Sequence, residues 1–190
     1  MSASLIVGIS GSASSQSYNT ALVAAAGSLL GERLDFVLAS GLEDLPFYTP
    51  DLDGDSIPES ARRLRELVGR ADALIISTPE YNYSTTALLK NAIDWLSRPY
   101  GAHVLVDKPV AIMGASQGLL GTVRAQLHLR EVLHATNCDV VARPEVFVTQ
   151  VGVKFNESHE LIDSPTRSLL AELVAALLDL AGVAGARDVA

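Results

Sequence analysis

An α/β three-layer sandwich around a five-stranded parallel sheet is the architecture this sequence predicts. Short apolar runs alternate with longer helical patterns along most of the chain. The short runs (LIVGI at 5–9, ALIIS at 73–77) are apolar throughout rather than at every second residue, as expected of strands covered on both faces. Three of them lead into polar loops that run on into helices, and parallel strands place all such loops at one edge of the sheet.

Residues 5–9 form the first strand, and NTALVAAAGSLL (19–30) the helix after it, with Ser17 as its N-cap and Gly31 ending the run. Residues 34–38 make the second strand. A polar stretch over 40–57 holds Pro46, Pro50 and Gly54 and is too long for an ordinary connection, a property common in functional loops. Pro58 starts the helix PESARRLRELVGR, with Ala61, Leu64, Leu67 and Val68 on its apolar face. The third strand is 73–77, and TTALLKNAIDWLS (85–97) returns to helical periodicity. A fourth strand covers 109–113, a helix 122–136, a fifth strand opens at 139–142, and a last helix spans 165–180. No second domain, repeat or low-complexity segment is evident, so one domain over 1–190 is expected.

Lys and Arg total 14 against 22 Asp and Glu, a formal net charge of −8, which argues against nucleic acid held on a long basic surface. Cys138 is the single cysteine, so no intramolecular disulfide forms, and it reads as a small buried residue. No basic leader and no run of 18 apolar residues appears; the expectation is a soluble cytoplasmic protein with no membrane partner.

The loop SGSASSQSYN (10–19) offers the free amides and positive dipole end of a helix start, together with the hydroxyls of Ser10, Ser12, Ser14, Ser15 and Ser17 and the amide of Asn19. It lacks both the G-x-G-x-x-G pattern and a Lys-Ser/Thr ending, so a terminal monophosphate fits it better than a pyrophosphate; a loop that merely caps its helix is the plainer alternative. In PEYN (79–82), Tyr81 and Asn82 can face the edge and surface of a flat heteroaromatic ring. Tyr81, Tyr83 and Trp95 also suit core or interface positions, Trp95 above all. Lys90 and Asp94 are spaced as a helix-face ion pair, and Asn91 can tie its helix to a loop. GASQG (114–118) satisfies the serine-nucleophile pattern G-x-S-x-G, and Asp139 or Glu145 with His159 complete a hydrolase order around Ser116. The same residues serve equally as a wall beside a bound ring. His128 and His134 read as surface or interface residues, and Arg124 as a cation for a nucleotide, a partner subunit or a surface ion pair.

Four segments in register carry a resemblance: GSASSQSYN (11–19), LPFYTPDL (45–52), PEYNYSTTALLKNAIDW (79–95) and GASQGLLGTVRAQLHLR (114–130). Together they resemble the NADPH-dependent FMN reductase family, whose quinone, chromate and azo-dye reductases have a flavodoxin-like fold. The resemblance implies that Ser10, Ser12, Ser17, Tyr18 and Asn19 hold the FMN phosphate. Pro79, Glu80, Tyr81 and Asn82 would line the isoalloxazine, with Ser116, Gln117 and Gly118 at its far side. Tyr81 and Asn82 are the candidate catalytic side chains. It further implies hydride transfer from NADPH or NADH to FMN, then reduction of a quinone or similar small-molecule acceptor by a ping-pong cycle, in a homodimer or homotetramer. Supply of free reduced flavin, and a noncatalytic FMN electron carrier, are the alternatives beside the hydrolase. The 40–57 loop, with Phe47, Tyr48 and Asp51, would shape the acceptor pocket. Two departures stand out: Ser14 replaces the family's usual arginine, and Thr86 its usual proline. The first implies weaker flavin retention or an altered nicotinamide preference.

Overall fold

In a computed structural model, residues 3–183 are described; the two ends of the domain expected over 1–190 lie outside them. The first strand, β1 (Ser4–Ser10), is central and pairs in parallel with β2 (Leu34–Leu38) on one side and β3 (Ala73–Ser77) on the other. β3 pairs with β4 (Pro109–Ala115), and two short strands, β5 (Asp139–Val140) and β6 (Val146–Val148), share the far side of β4. The order β2-β1-β3-β4-β5 is the flavodoxin-like arrangement, with its switch point between β1 and β3.

Alternation along the buried strands sorts the core into two layers. Val7, Ile9, Leu74, Ile76, Val110 and Ile112 face α2 (Glu59–Arg70), α3 (Ala87–Leu96) and α4 (Val123–Ala135). Ile6, Ala73, Ile75, Ala111 and Met113 face α1 (Tyr18–Gly27) and α5 (Ser164–Leu180). Helices on both faces explain why these strands carry no polar alternation. Among the described residues no helix is long and apolar enough to cross a membrane.

Several boundaries depart from the sequence expectation. α1 ends at Gly27, with Ser28 as its C-cap, rather than at Gly31. β4 runs on through Gly114 and Ala115, because β6 pairs with them. The fifth strand position is filled twice: β5 stops at Val140, the chain passes through Val-Ala-Arg-Pro-Glu, and β6 resumes beside Met113. Pro144 has no N–H to give the ladder. The 40–57 stretch is not structureless, since it winds through three single 3₁₀ turns at Leu42–Asp44, Pro50–Leu52 and Gly54–Ser56.

Candidate active site

The loops after β1, β3 and β4 converge as expected, and they are fastened to one another by side chains. Asn19, buried at the head of α1, is the hub. Its Oδ1 accepts from the Ser77 hydroxyl (2.8 Å) and from the Ala115 N–H (2.9 Å), while its Nδ2 donates to the Ala115 carbonyl (3.0 Å). Its Oδ1 and one Nδ2 hydrogen therefore go to the ends of β3 and β4. Gly11 donates its N–H to the Ser77 carbonyl (2.8 Å), and a Cβ there would sit 3.2 Å from both Leu89 and Pro79, so close approach is what the glycine supplies. Thr86 joins the same knot. Its hydroxyl donates to the Gly11 carbonyl (2.7 Å) and accepts from the Leu89 N–H (3.2 Å) as N-cap of α3. Threonine in place of the family's proline thus provides a cap and a cross-link.

The first loop is folded by its own hydroxyls. Ser10 Oγ lies 2.8 Å from Thr20 Oγ1 and accepts from the Ser12 N–H (3.4 Å). Ser12 Oγ accepts from the Ser14 N–H and Ser14 Oγ from the Gln16 N–H, both at 3.3 Å, and Ser17 Oγ caps α1 through the Thr20 N–H (3.1 Å). Each bond uses a lone pair of a serine oxygen. The O–H of Ser12, Ser14 and Ser17 stays free to donate. The main-chain amides of Tyr18 and Asn19 have no acceptor among the described residues. A cleft of about 240 Å³ opens beside this array, lined by Ser10, Ser12 and Ser14 and, across from them, by Ser40, Glu43 and Leu88. Free amides at a helix start, with hydroxyl donors and no cation, form a donor set that suits the phosphate of a mononucleotide. Tyr18 contributes its main chain to that array, because its ring packs against Phe155 (5.3 Å between centroids) and His159 (4.8 Å).

The second loop is a tight hairpin. Tyr81 and Ser84 exchange N–H···O bonds of 3.0 Å, and Asn82 and Tyr83 between them take left-handed φ values of 51° and 66°. Tyr81 (58% exposed) and Asn82 project outward. Glu80 points the other way. Its Oε2 accepts from the N–H groups of Arg124 (3.0 Å) and Ala125 (3.3 Å), and its Oε1 from Arg124 Nη1 (3.2 Å). The Arg124 guanidinium lies over the Tyr83 ring (4.1 Å), and Ser84 Oγ is 3.1 Å from His128 Nδ1. Sequence reading missed this capping role of Glu80, since its partners stand 44 residues away.

In the third loop Ser116 donates its N–H to the Val148 carbonyl (2.9 Å), and its hydroxyl lies 3.4 Å from the Gly118 carbonyl. Gln117 and Gly118 are exposed beside it. The hydrolase alternative finds no support. Asp139 pairs with Pro109 at the opposite end of β4, about 20 Å away at the usual rise per strand residue. Glu145 is paired with Arg143 (2.7 Å), and His159 is stacked on Tyr18. Ser116 lacks the positive φ of a strained turn. Gly114 has a different purpose: a Cβ there would fall 1.8 Å from the hydroxyl of Thr122, itself held at φ 68°.

The 40–57 stretch is strapped to α3. Asn91 brackets Phe47, its Oδ1 accepting from the Tyr48 N–H (2.9 Å) and its Nδ2 donating to the Pro46 carbonyl (3.0 Å). Buried Trp95 donates to that same carbonyl (2.8 Å), and the Tyr48 ring meets Trp95 edge-on. Tyr48 is therefore structural, its hydroxyl accepting from Arg98 Nε (2.9 Å), whereas Phe47 is 80% exposed and Asp51 also lies at the surface. Further along, Arg65 joins Asp53 (2.8 Å) to the Trp95 carbonyl (2.8 Å). Burial pushes the Asp53 carboxyl up, but hydrogen bonds from Arg65 and the Gly54 N–H, with the charges of Arg65 and Arg98, bring it below its ordinary value. The remaining single readings hold as local structure: Lys90 and Asp94 are paired (2.7 Å), and burial raises the Cys138 thiol.

A parallel sheet whose loops after β1, β3 and β4 converge, with unbonded helix-start amides and serine hydroxyls in the first of them, is the arrangement of a mononucleotide-binding α/β protein. A family model described as NADPH-dependent FMN reductase matches residues 4–152. An NAD(P)H-dependent FMN reductase of Pseudomonas aeruginosa is 40% identical over 172 residues, covering 90% of this chain and 92% of its own. A 2-hydroxy-1,4-benzoquinone reductase of a Burkholderia species is 39% identical over 162 residues, 84% of this chain and 86% of its own. Among solved structures, the flavoenzyme NAD(P)H:(acceptor) oxidoreductase FerB of Paracoccus denitrificans superposes with a TM-score of 0.85 at 33% identity, over 94% of this chain and 97% of that one. The chain belongs to the NADPH-dependent FMN reductase family, and it is an enzyme that uses FMN and a reduced nicotinamide.

Proposed function

We propose that the enzyme passes reducing equivalents from NADPH or NADH to a quinone-type acceptor, with FMN held across the three loops. The observation that carries this reading is the pair of unclaimed amides, Tyr18 and Asn19, at the head of α1 beside the serine O–H groups. These donors would hold the FMN phosphate, with the Ser10 hydroxyl fixing the loop behind them. The Pro79–Asn82 main chain and the Ser116–Gly118 loop would flank the ring, and Tyr81 and Asn82 are the side chains free to meet it. When bound, FMN supplies the two-electron redox chemistry. The protein's part is placement and exclusion of competing geometries, without a strong acid or base.

Nicotinamide and acceptor would share one open site over the ring, so that the first leaves before the second enters. Relatives named as quinone reductases in Burkholderia and Pseudomonas putida support a quinone as the acceptor class. The reading includes one domain, a cytoplasmic setting, and an assembly of two or four copies. Purified protein reconstituted with FMN should bleach within seconds of adding NADPH or NADH and recover its colour when benzoquinone is added. Bound flavin that ignored both nicotinamides would make the protein an electron carrier and overturn the reading.

A further inference from the structure

Glu80 stands in the middle of the second loop, yet its carboxylate turns to the helix that follows the third. α4 has no side-chain cap of its own: Thr122 at its N-cap position is left-handed, and its hydroxyl accepts from the Gln126 side chain (3.1 Å) rather than from a helix main-chain N–H. The Arg124 and Ala125 N–H groups are orphan donors of a helix start, and both end on Glu80 Oε2. A carboxylate is the side chain best suited there, because it meets free N–H groups and the positive end of the dipole together. Two more contacts join the same partners, Arg124 over the Tyr83 ring and His128 to Ser84. Residues 80, 83 and 84 thus bond to or stack on the first two turns of α4, Tyr83 through one face of a ring that stays 65% exposed, while Tyr81 and Asn82 are exposed without such a contact.

From this division we infer that Glu80 is a positioning residue: it latches the loop after β3 to the start of α4, and so fixes the spacing between the two loops that flank the flavin ring. The inference rests on the ring position of the proposed function. The latch works through main-chain bonds, which tolerate little play, rather than through the Arg124 ion pair. That pair is partly exposed and contributes little by itself. The left-handed pair Asn82–Tyr83 is held in its uncommon conformation by the same grip, so loss of Glu80 releases the hairpin that presents Tyr81 and Asn82.

Three variants grade the effect. Glu80→Ala removes every bond, Glu80→Gln keeps an oxygen for the two amides without the charge, and Arg124→Ala leaves the main-chain bonds intact. In apo protein, hydrogen exchange over residues 79–84 and 118–126 should speed up together in Glu80→Ala, partly in Glu80→Gln, and little in Arg124→Ala. FMN affinity, read by quenching of flavin fluorescence, should fall about tenfold in Glu80→Ala, the effect of losing one or two charge-assisted bonds. The visible circular dichroism of bound flavin should change in the same order. Faster exchange with wild-type flavin affinity and dichroism would make Glu80 a helix cap alone and overturn the inference. Unchanged exchange would overturn the latch itself. A wild-type protein that bound no FMN would overturn the functional reading as well, a result distinct from either.

Discussion

Replacing Asn19 with alanine separates two meanings of one residue. The sequence resemblance makes its side chain a phosphate ligand, whereas the fold spends that side chain on Ser77 and Ala115. Three buried hydrogen bonds are removed at about 1 kcal/mol each. The Ala115 N–H and carbonyl also lose the Asn19 amide in a region water hardly reaches, since Ala115 is almost fully buried and Ser77 completely so. An unsatisfied buried group adds roughly 1–3 kcal/mol. The total, about 4–6 kcal/mol, is a large share of the 5–15 kcal/mol typical of a domain. Urea denaturation of the apo protein should show this loss as a lowered midpoint with an unchanged slope. FMN titration of the still-folded variant should give an affinity within about tenfold of wild type, because the unbonded main-chain amides of residues 18 and 19 remain. A variant of nearly wild-type stability that had lost FMN binding by a hundredfold or more would falsify the assignment and return Asn19 to the phosphate.

Two further substitutions probe the ends of this scheme. Ser14 lines the cleft with its hydroxyl accepting only from the Gln16 N–H, so Ser14→Arg adds a guanidinium at a modest cost in loop order. A charge-assisted contact of about 1.5–3 kcal/mol should tighten FMN ten- to a hundredfold at low salt and lose much of that gain at 0.5 M NaCl; no change at either salt refutes the placement of the phosphate. Asp163 caps α5, and its carboxyl is held below its ordinary value by the Thr166 hydroxyl (2.5 Å) and N–H (3.0 Å). A depressed carboxyl stabilises above its unfolded value near 4 and loses that effect as pH falls through its folded value, so Asp163→Ala should cost about 1 kcal/mol at pH 7, a gap that narrows below pH 4. A gap of constant size from pH 7 to pH 3 counts against the cap.

What was legible in the sequence was local. The strands at 34–38 and 73–77 coincide with their apolar runs, and Ser17 caps α1 as its position three residues before Thr20 suggests. Convergence of the loops followed from parallel order alone. The misjudged sheet boundaries had a shared cause: Gly114 and Ala115 look like loop residues until β6 arrives to pair with them, and nothing near them in the chain announces that. The same holds for Glu80, whose partners stand at 124 and 125, and for Asn91, which was expected to tie its helix to the loop just before it but grips Pro46 and Tyr48 in the 40–57 loop, 45 and 43 residues away. Side chains that satisfy distant main-chain groups leave no periodic trace.

The hydroxyl-rich first loop answers to that same distinction between local and distant partners. Its serines look like a set of phosphate ligands, but Ser10, Ser12, Ser14 and Ser17 each use a lone pair to hold an amide two or three residues on, and the loop takes its shape from these bonds. Lysine in those places has no lone pair to offer when charged, and alanine has neither lone pair nor proton. Serine alone among small residues both fixes the loop and keeps a proton to donate. A cradle built this way needs no cation for its shape, which is why the loop survives the loss of the family's arginine at position 14 as a fold feature. A cation added at position 14 is expected to act on affinity rather than on shape, since the neighbouring loops are already fastened through Thr86 and Asn19.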